Sequence, residues 1–424
     1  MSPTLSHVLT GLLVATGIGL MLLRPKYLPE AWGVGVCALL LVVLRLIPLK
    51  LAAGAVLNGV DVYCFLLGMM LLSTLARTYG VFDWVAAKAT RGARGSSKRL
   101  FLLIYGIGIL TTVLLSNDAT AVVLTPAVLS AVRKAKVQPK PYLFACAMIA
   151  NAASFVLPMS NPANLVVFNR HMPPLAHWIT SFGIASVFSI AATFAVLRLY
   201  FRQDLSSPID THLEDTKLRP AGRLVLCGLG VVMAVLLAAS ALNKSLGLPA
   251  CLAALAIALL VSLHERSNPW KLAREISWST LLLVAGLFVM VAAVERLGVL
   301  RYTQTALAWA RSLTPAIGTT IVSMAVGAAN NIFNNLPLGL LAGATVQASH
   351  THGVLANAVL LGVDLGPNLS VTGSLATILW LIALRKEKLD VSAWDFLKVG
   401  MLAMPLAMLA SVAGLLATHW LLHA

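Results

Sequence analysis

From residue 100 to residue 132 the chain carries one charged side chain, Asp118, and from 141 to 169 it carries none. Yet Ser116-Asn117-Asp118 interrupts the first stretch, and Asn151 and Ser160-Asn161-Pro162-Ala163-Asn164 interrupt the second. In hydrocarbon such polar groups are costly unless something satisfies them, so they mark function more often than scaffold. Asn330, Asn331, Asn334 and Asn335, followed by Asp364, Asn368 and Thr372, form a second cluster of the same kind. Two matching polar clusters in two matching apolar halves point to a transporter.

The rest of the composition fits no soluble fold. A chain of 424 residues that is 59% hydrophobic and 11% charged, with mean hydropathy +0.88, reads as an all-α polytopic membrane protein. The longest stretch without membrane character is about 201–222, too short for a second domain. The first apolar run, about 8–23, lacks a charged leader and a small-residue cleavage site, so it reads as a retained helix. The five cysteines (37, 64, 146, 227 and 251) have no close spacing, which argues against a disulfide framework or a metal knuckle. The net charge of +16 invites a nucleic-acid reading until the charges are placed. Most of the 31 Lys and Arg residues then fall on one side of the membrane, the positive-inside pattern, and no polyanionic partner is required.

In chain order, runs at about 8–23, 30–47 and 61–79 read as spanning helices, and 83–95 as an amphipathic interfacial helix. The stretch 100–133 is too long for one helix, and its flanks are both basic. It therefore reads as a re-entrant hairpin with Ser116-Asn117-Asp118 at the tip; two full spans with a tight outer turn are the alternative. Residues 141–168 form a helix broken around Pro158 and Pro162, which remove backbone donors. A helix at 176–199 closes the first half, 1–200, and 201–222 reads as a cytoplasmic linker.

The second half, 223–424, repeats this order. Helices fall at about 223–242, 248–263 and 278–297, an interfacial stretch at 299–312 and a hairpin at 315–349. A broken helix follows at about 355–384, and a last helix at 395–421. The letters repeat too: Gly68–Phe82 matches Gly286–Leu300 at a shift of 218, Asn117 matches Asn334 at 217, and Ser160 matches Thr372 at 212. Five spans and a hairpin per half make an inverted-topology repeat, about 10 transmembrane helices plus two re-entrant hairpins, with both termini periplasmic.

The candidate substrate-binding residues are Ser116, Asn117, Thr120, Asn151, Ser160, Asn161, Asn164, Asn331, Asn334, Asn335, Asn368, Thr372 and Ser374. Asparagine both donates and accepts, which suits an uncharged, hydroxyl-rich solute; helix capping and interhelical bonding are the blander roles for the same residues. Asp118 and Asp364 are the carboxylates within these core segments, and a carboxylate there can take up and release a proton in a transport cycle. Arg77 and Glu295 read as interface anchors. No residue pattern calls for a metal or a cofactor. Nor is there a His-Glu-x-x-His, a Gly-x-Ser-x-Gly or a usable Ser/His pairing, so an enzyme is disfavoured.

Ser116-Asn117-Asp118-Ala119-Thr120, Ala150-Asn151-Ala152-Ala153-Ser154 and Ser160-Asn161-Pro162-Ala163-Asn164-Leu165 resemble the arsenite/antimonite efflux permeases of the ion transporter superfamily. So do Asn334-Asn335-Leu336-Pro337, Gly366-Pro367-Asn368 and Gly373-Ser374-Leu375-Ala376-Thr377. The resemblance implies efflux of arsenite and antimonite as neutral trihydroxides in exchange for protons, across a bacterial or archaeal cytoplasmic membrane. It implies that a soluble ATPase subunit can couple to the permease. It also points to Asn117, Asp118, Ser160, Asn161, Asn334 and Asn335 as core site positions. The alternative within the superfamily is a sodium-coupled anion or dicarboxylate transporter, or a sodium/proton antiporter. Asp118 and Asn335 stand where the sodium–dicarboxylate branch has threonine, which weakens that alternative.

Overall fold

The computed structural model describes residues 2–23, 30–168, 172–209, 217–389 and 391–423. The basic residues Arg24 and Lys26, which the positive-inside reading puts on the cytoplasmic side, and positions 210–216 of the linker lie outside the described residues. The first half comprises α1 (Pro3–Leu23), α2 (Glu30–Val43), α3 (Leu49–Asn58), α4 (Val60–Thr78), α5 (Val81–Gly92), α6 (Ser97–Leu114), α7 (Thr125–Lys134), α8 (Lys140–Ala152), α9 (Pro162–Phe168) and α10 (Leu175–Tyr200). The second comprises α11 (Pro220–Ala241), α12 (Gly247–His264), α13 (Pro269–Glu275), α14 (Trp278–Arg296), α15 (Val299–Ser312), α16 (Pro315–Phe333), α17 (Asn335–Ala348), α18 (Val354–Leu365), α19 (Leu375–Lys386) and α20 (Ala393–His423). Among the described residues nine of these helices are long and apolar enough to cross a membrane, and two of the nine, α6 and α16, are first arms of the hairpins. The protein is an all-α polytopic membrane protein.

Two short helices depart from the hydropathy reading. The run at 30–47 stops at Val43, and after Pro48 a separate helix, α3, begins. Proline favours a first-turn position and has no amide to donate, so it punctuates the run rather than extending it. In the second half α13 has a clear local cause: Asn268 Oδ1 accepts from Trp270 N at 2.9 Å, with Pro269 in the first turn. Hydropathy averages over pieces of seven to ten residues, although for α13 the letters Asn268-Pro269 mark the start.

Contacts sort the loops into two ends. At one end Arg77 pairs with Glu275 at 2.8 Å, Arg133 with Glu387 at 2.8 Å and Lys140 with Asp395 at 3.9 Å. Tyr142 Oη donates to the Ser97 carbonyl at 3.3 Å, and Ile209 N to the Gly95 carbonyl at 3.2 Å. The two flanks of the segment 97–134 thus return to the same end. At the other end Arg296 reaches the Leu46 carbonyl at 3.3 Å, and Arg311 bridges to Thr351 Oγ1 at 2.6 Å. The flanks of α16–α17 return there in the same way. An aromatic cluster of Phe144, Trp380 and Phe396, with centroids 5.5–5.9 Å apart, ties α8, α19 and α20 together. Helices α10 and α20 pack along their length beside it.

The order of elements after residue 220 follows that before residue 200. The match extends to backbone conformation: Gly80, before α5, and Gly298, before α15, both sit at positive φ, +72° and +77°. Each turns the chain sharply from a long helix into an amphipathic one, a conformation glycine adopts freely. Replacing either by Ala should cost about 1–2 kcal/mol of stability, because a Cβ disfavours the left-handed region. A lowered melting temperature in detergent for both Gly80→Ala and Gly298→Ala would bear this out; unchanged melting would show that the turns do not need glycine.

Candidate functional site

The first hairpin breaks at Leu115–Ser116. Beyond the break, Ser116 Oγ accepts from Ala119 N at 3.2 Å, and Asn117 Oδ1 accepts from Asp118 N at 2.9 Å. These side chains satisfy amide donors that open the second arm, the work of an N-cap. The arm then widens into a π-helical segment, Ala119–Leu124, before α7; π-bulges recur at functional sites. Thr120 Oγ1 bonds Thr112 Oγ1 across the hairpin at 2.8 Å, so this predicted site residue is fully buried as a clasp between the arms.

The second tip is built differently. Asn334 stands alone between α16 and α17 at φ +72°, ψ 155°, a region normally left to glycine. Its Nδ2 donates to the Thr372 carbonyl at 3.1 Å and holds it there. Asn331 Nδ2 donates to the Gly327 and Gly366 carbonyls at 2.8 and 3.1 Å, while its Oδ1 accepts from Ser370 N and Oγ at 3.1 and 2.7 Å. Thr372 Oγ1 returns a bond to the Asn331 carbonyl at 2.8 Å. Asn335 is buried, and its Oδ1 has no partner among the described residues.

The helix breaks are joined across the halves. Asn161 Oδ1 caps α9 by accepting from Ala163 N at 3.0 Å, and its Nδ2 donates to Asp364 Oδ1 at 2.8 Å. Ser374 Oγ caps α19 from Ala376 N at 3.2 Å. Asn161 and Ser374 share an extended backbone (φ −146° and −141°), which sets the repeat at 213 here. The match of Ser160 to Thr372 read from the letters is therefore one residue out, because short 3-10 turns hide the register. Asn164 Nδ2 gathers the carbonyls of Ser154 and Pro158 at 2.9 and 3.3 Å. Ser160 Oγ accepts from Leu157 N at 3.2 Å. Asn151 Nδ2 donates to Asn368 Oδ1 at 2.9 Å, and Asn368 Nδ2 donates to the Met148 carbonyl at 3.0 Å.

Of the predicted residues, Ser116 and Asp118 face open space. They line a cavity of about 190 Å³ with Ala119, with Pro162 and Leu375 from the first turns of α9 and α19, and with α4 and the α13–α14 junction opposite. That opposite wall supplies Ser73, Thr74 and the Arg77–Glu275 pair, which stands at the end where the basic loops gather. The predicted asparagines are not on this lining; apart from Asn335, they brace the broken helices behind it. Arg77, expected from sequence to be an interface anchor, stands on this wall, as do Ser73, Thr74 and Glu275, which are not among the residues expected at the site. The available signal was the pair of hydroxyls one turn before Arg77 in an apolar helix. Asp364 is fully buried on α18, bonded to Asn161, with its second oxygen unpartnered among the described residues.

A family model described as citrate transporter matches residues 12–364, and the chain belongs to that family, CitMHS. An arsenical pump membrane protein of Yersinia enterocolitica is 26% identical over 420 residues, covering 93% of this chain and 95% of that protein. Its namesake in Escherichia coli K12 is 26% identical over 417 residues, with the same coverage. An uncharacterized transporter of Mycobacterium tuberculosis is 27% identical over 361 residues, covering 80% of this chain and 82% of its own. The crystal structure of the YdaH transporter of Alcanivorax borkumensis, described as having an unusual topology, shares the fold. It has a TM-score of 0.59 at 14% identity, over 88% of this chain and 87% of that one.

The double role of Asn161 gives a stability prediction. Asn161→Ala removes both the cap and the donor to a buried carboxyl and should cost about 2–4 kcal/mol. Asn161→Ser keeps a cap, as Ser374 does at the equivalent position, and should recover about 1 kcal/mol of it. Unfolding in detergent measures both, and equal losses would mean that the cap contributes nothing.

Proposed function

We propose that this member of the citrate transporter family is a secondary transporter that moves trivalent arsenic and antimony, as neutral trihydroxides, out of the cytoplasm in exchange for protons. The observation that carries the reading is the charge balance of the Asp118 cavity. Among the described residues that line it, Arg77 is the one cation, and Glu275 already holds it at 2.8 Å. A carboxylate substrate would meet Asp118 with no uncommitted positive charge to offset it. At 4 Å and an effective dielectric near 20, one such like-charge contact costs about 4 kcal/mol, roughly three decades of affinity. A neutral trihydroxide avoids that cost and finds hydroxyl or carboxyl partners in Ser73, Thr74, Ser116 and Asp118. The names of the relatives that align with 93% of the chain support the same substrate class.

Orientation follows from the positive-inside rule. The end carrying Arg77, Arg133 and Lys140 faces the cytoplasm, and both termini face the periplasm. In this reading the halves are inverted repeats. The hairpins and broken helices move as a unit against α1–α4 and α11–α14. The solute loads while Asp118 is unprotonated, and protonation from outside permits the return. Asp364 is a second coupling site: protonating it would weaken the Asn161 bond that ties α9 to α18. A soluble ATPase, if one couples, would act at the basic end.

The test is arsenite uptake into everted vesicles under an imposed proton gradient, with and without a sodium gradient, and with citrate as competitor. Proton-driven accumulation that citrate does not compete for is expected; sodium-driven uptake of citrate would replace this reading. Asp118→Asn should abolish the effect of the proton gradient while leaving arsenite binding. If uphill uptake persists in that variant, Asp118 does not carry the proton.

A further inference from the structure

A second cavity, of about 290 Å³, lies at the opposite end of the protein and is built from the same positions as the first. Met70, Ser73, Thr74 and Arg77 of α4 line the Asp118 cavity; shifted by 218 they become Phe288, Val291, Ala292 and Glu295 of α14, and these four line the second cavity. The hairpin walls correspond as well, Val123 to Leu340 at 217, and so do the broken helices, Val166 to Leu379 at 213. Two cavities that share three repeat registers at opposite ends are the two images of one site.

The images differ in chemistry. On the long-helix wall the hydroxyls of Ser73 and Thr74 are replaced by the aliphatic Val291 and Ala292, and Arg77 by Glu295, while Lys50 and Asn58 of α3 and Gln347 of α17 stand on the other walls. Asn58, at the end of α3, lines both this cavity and a neighbouring one of about 240 Å³ whose lining includes Asp61 and Lys244. We propose that the cavity of Lys50 and Glu295 is the release site of the pathway, which holds the same neutral hydroxylated solute more weakly along α14, where the two hydroxyls of α4 have no counterpart. Losing two hydrogen-bonding groups weakens binding by roughly tenfold or more. The identity of the solute rests on the export reading above; the placement of the cavity does not.

Side-specific labelling tests the placement. Ser73→Cys and Val291→Cys, each in the full chain, are exposed to a small membrane-impermeant methanethiosulfonate in everted and in right-side-out vesicles. Modification is read by peptide mass spectrometry, so the native cysteines stay. The two positions should label from opposite faces, and labelling from one face overturns the proposal. The chemistry is tested by Val291→Ser combined with Ala292→Thr. Arsenite applied at the face that labels position 291 should inhibit efflux at about tenfold lower concentration, with KM at the other face unchanged. Unchanged inhibition, or an equal shift at both faces, overturns the release site. Wild-type vesicles that move no arsenite would sink the export reading instead, while the labelling result still stands.

Discussion

Backbone broken inside a membrane has to be satisfied by protein, since there is no water in the hydrocarbon to do it. The rest of this structure depends on that constraint. Two hairpin tips and two helix breaks leave donors and carbonyls without helical partners, and amide or hydroxyl side chains meet them at each place. Asn164 gathers the carbonyls left by the break before α9, Asn331 takes the Gly366 carbonyl and the Ser370 amide, and Ser116 and Asn117 take the amides that open the second arm. Asparagine recurs because one planar group both donates and accepts. Once the backbone is held, short helices can point their first turns at a common space.

The bracing also links the halves. Asn151 and Asn368 are related by the same shift of 217 that relates Asn117 to Asn334, and they hydrogen-bond to each other at 2.9 Å. Two residues at matching positions of the letter repeat thus bond each other across the halves. Asn161 and Asp364 make a second cross-half bond, for which the described residues show no equivalent between the matching positions. The element order and the amide positions repeat between the halves, and the carboxylates do not.

That departure gives the Asp118 cavity its character. The wall facing Asp118 offers hydroxyls and one Arg–Glu pair, while its image across the protein offers valine, alanine and unlike charges in other places. In the export reading, unequal walls let one fold present different affinities at its two ends. Membership of a family described as citrate transporters does not by itself choose the substrate. The absence of an uncommitted cation among the described lining residues is a property of this chain's own side chains.

Much of the architecture was legible in the letters. Runs of apolar residues of spanning length leave little choice of class, and polar groups inside them, flanked by basic loops, mark the hairpins and breaks by cost alone. The prolines at 158 and 162 and the glycines at 80 and 298 carry their own backbone signals. The short helices α3 and α13 were lost because hydropathy averages over them. Sequence by itself thus determined the class, the breaks and the types of residue that must sit there. It could not say which polar residues face the solute and which face the backbone, since both uses need the same amides. Only the tertiary structure decided that, by bringing α4 and the α13–α14 junction across from Ser116 and Asp118. The partners there, Arg77 and Glu275, are 198 residues apart, and only folding makes them neighbours.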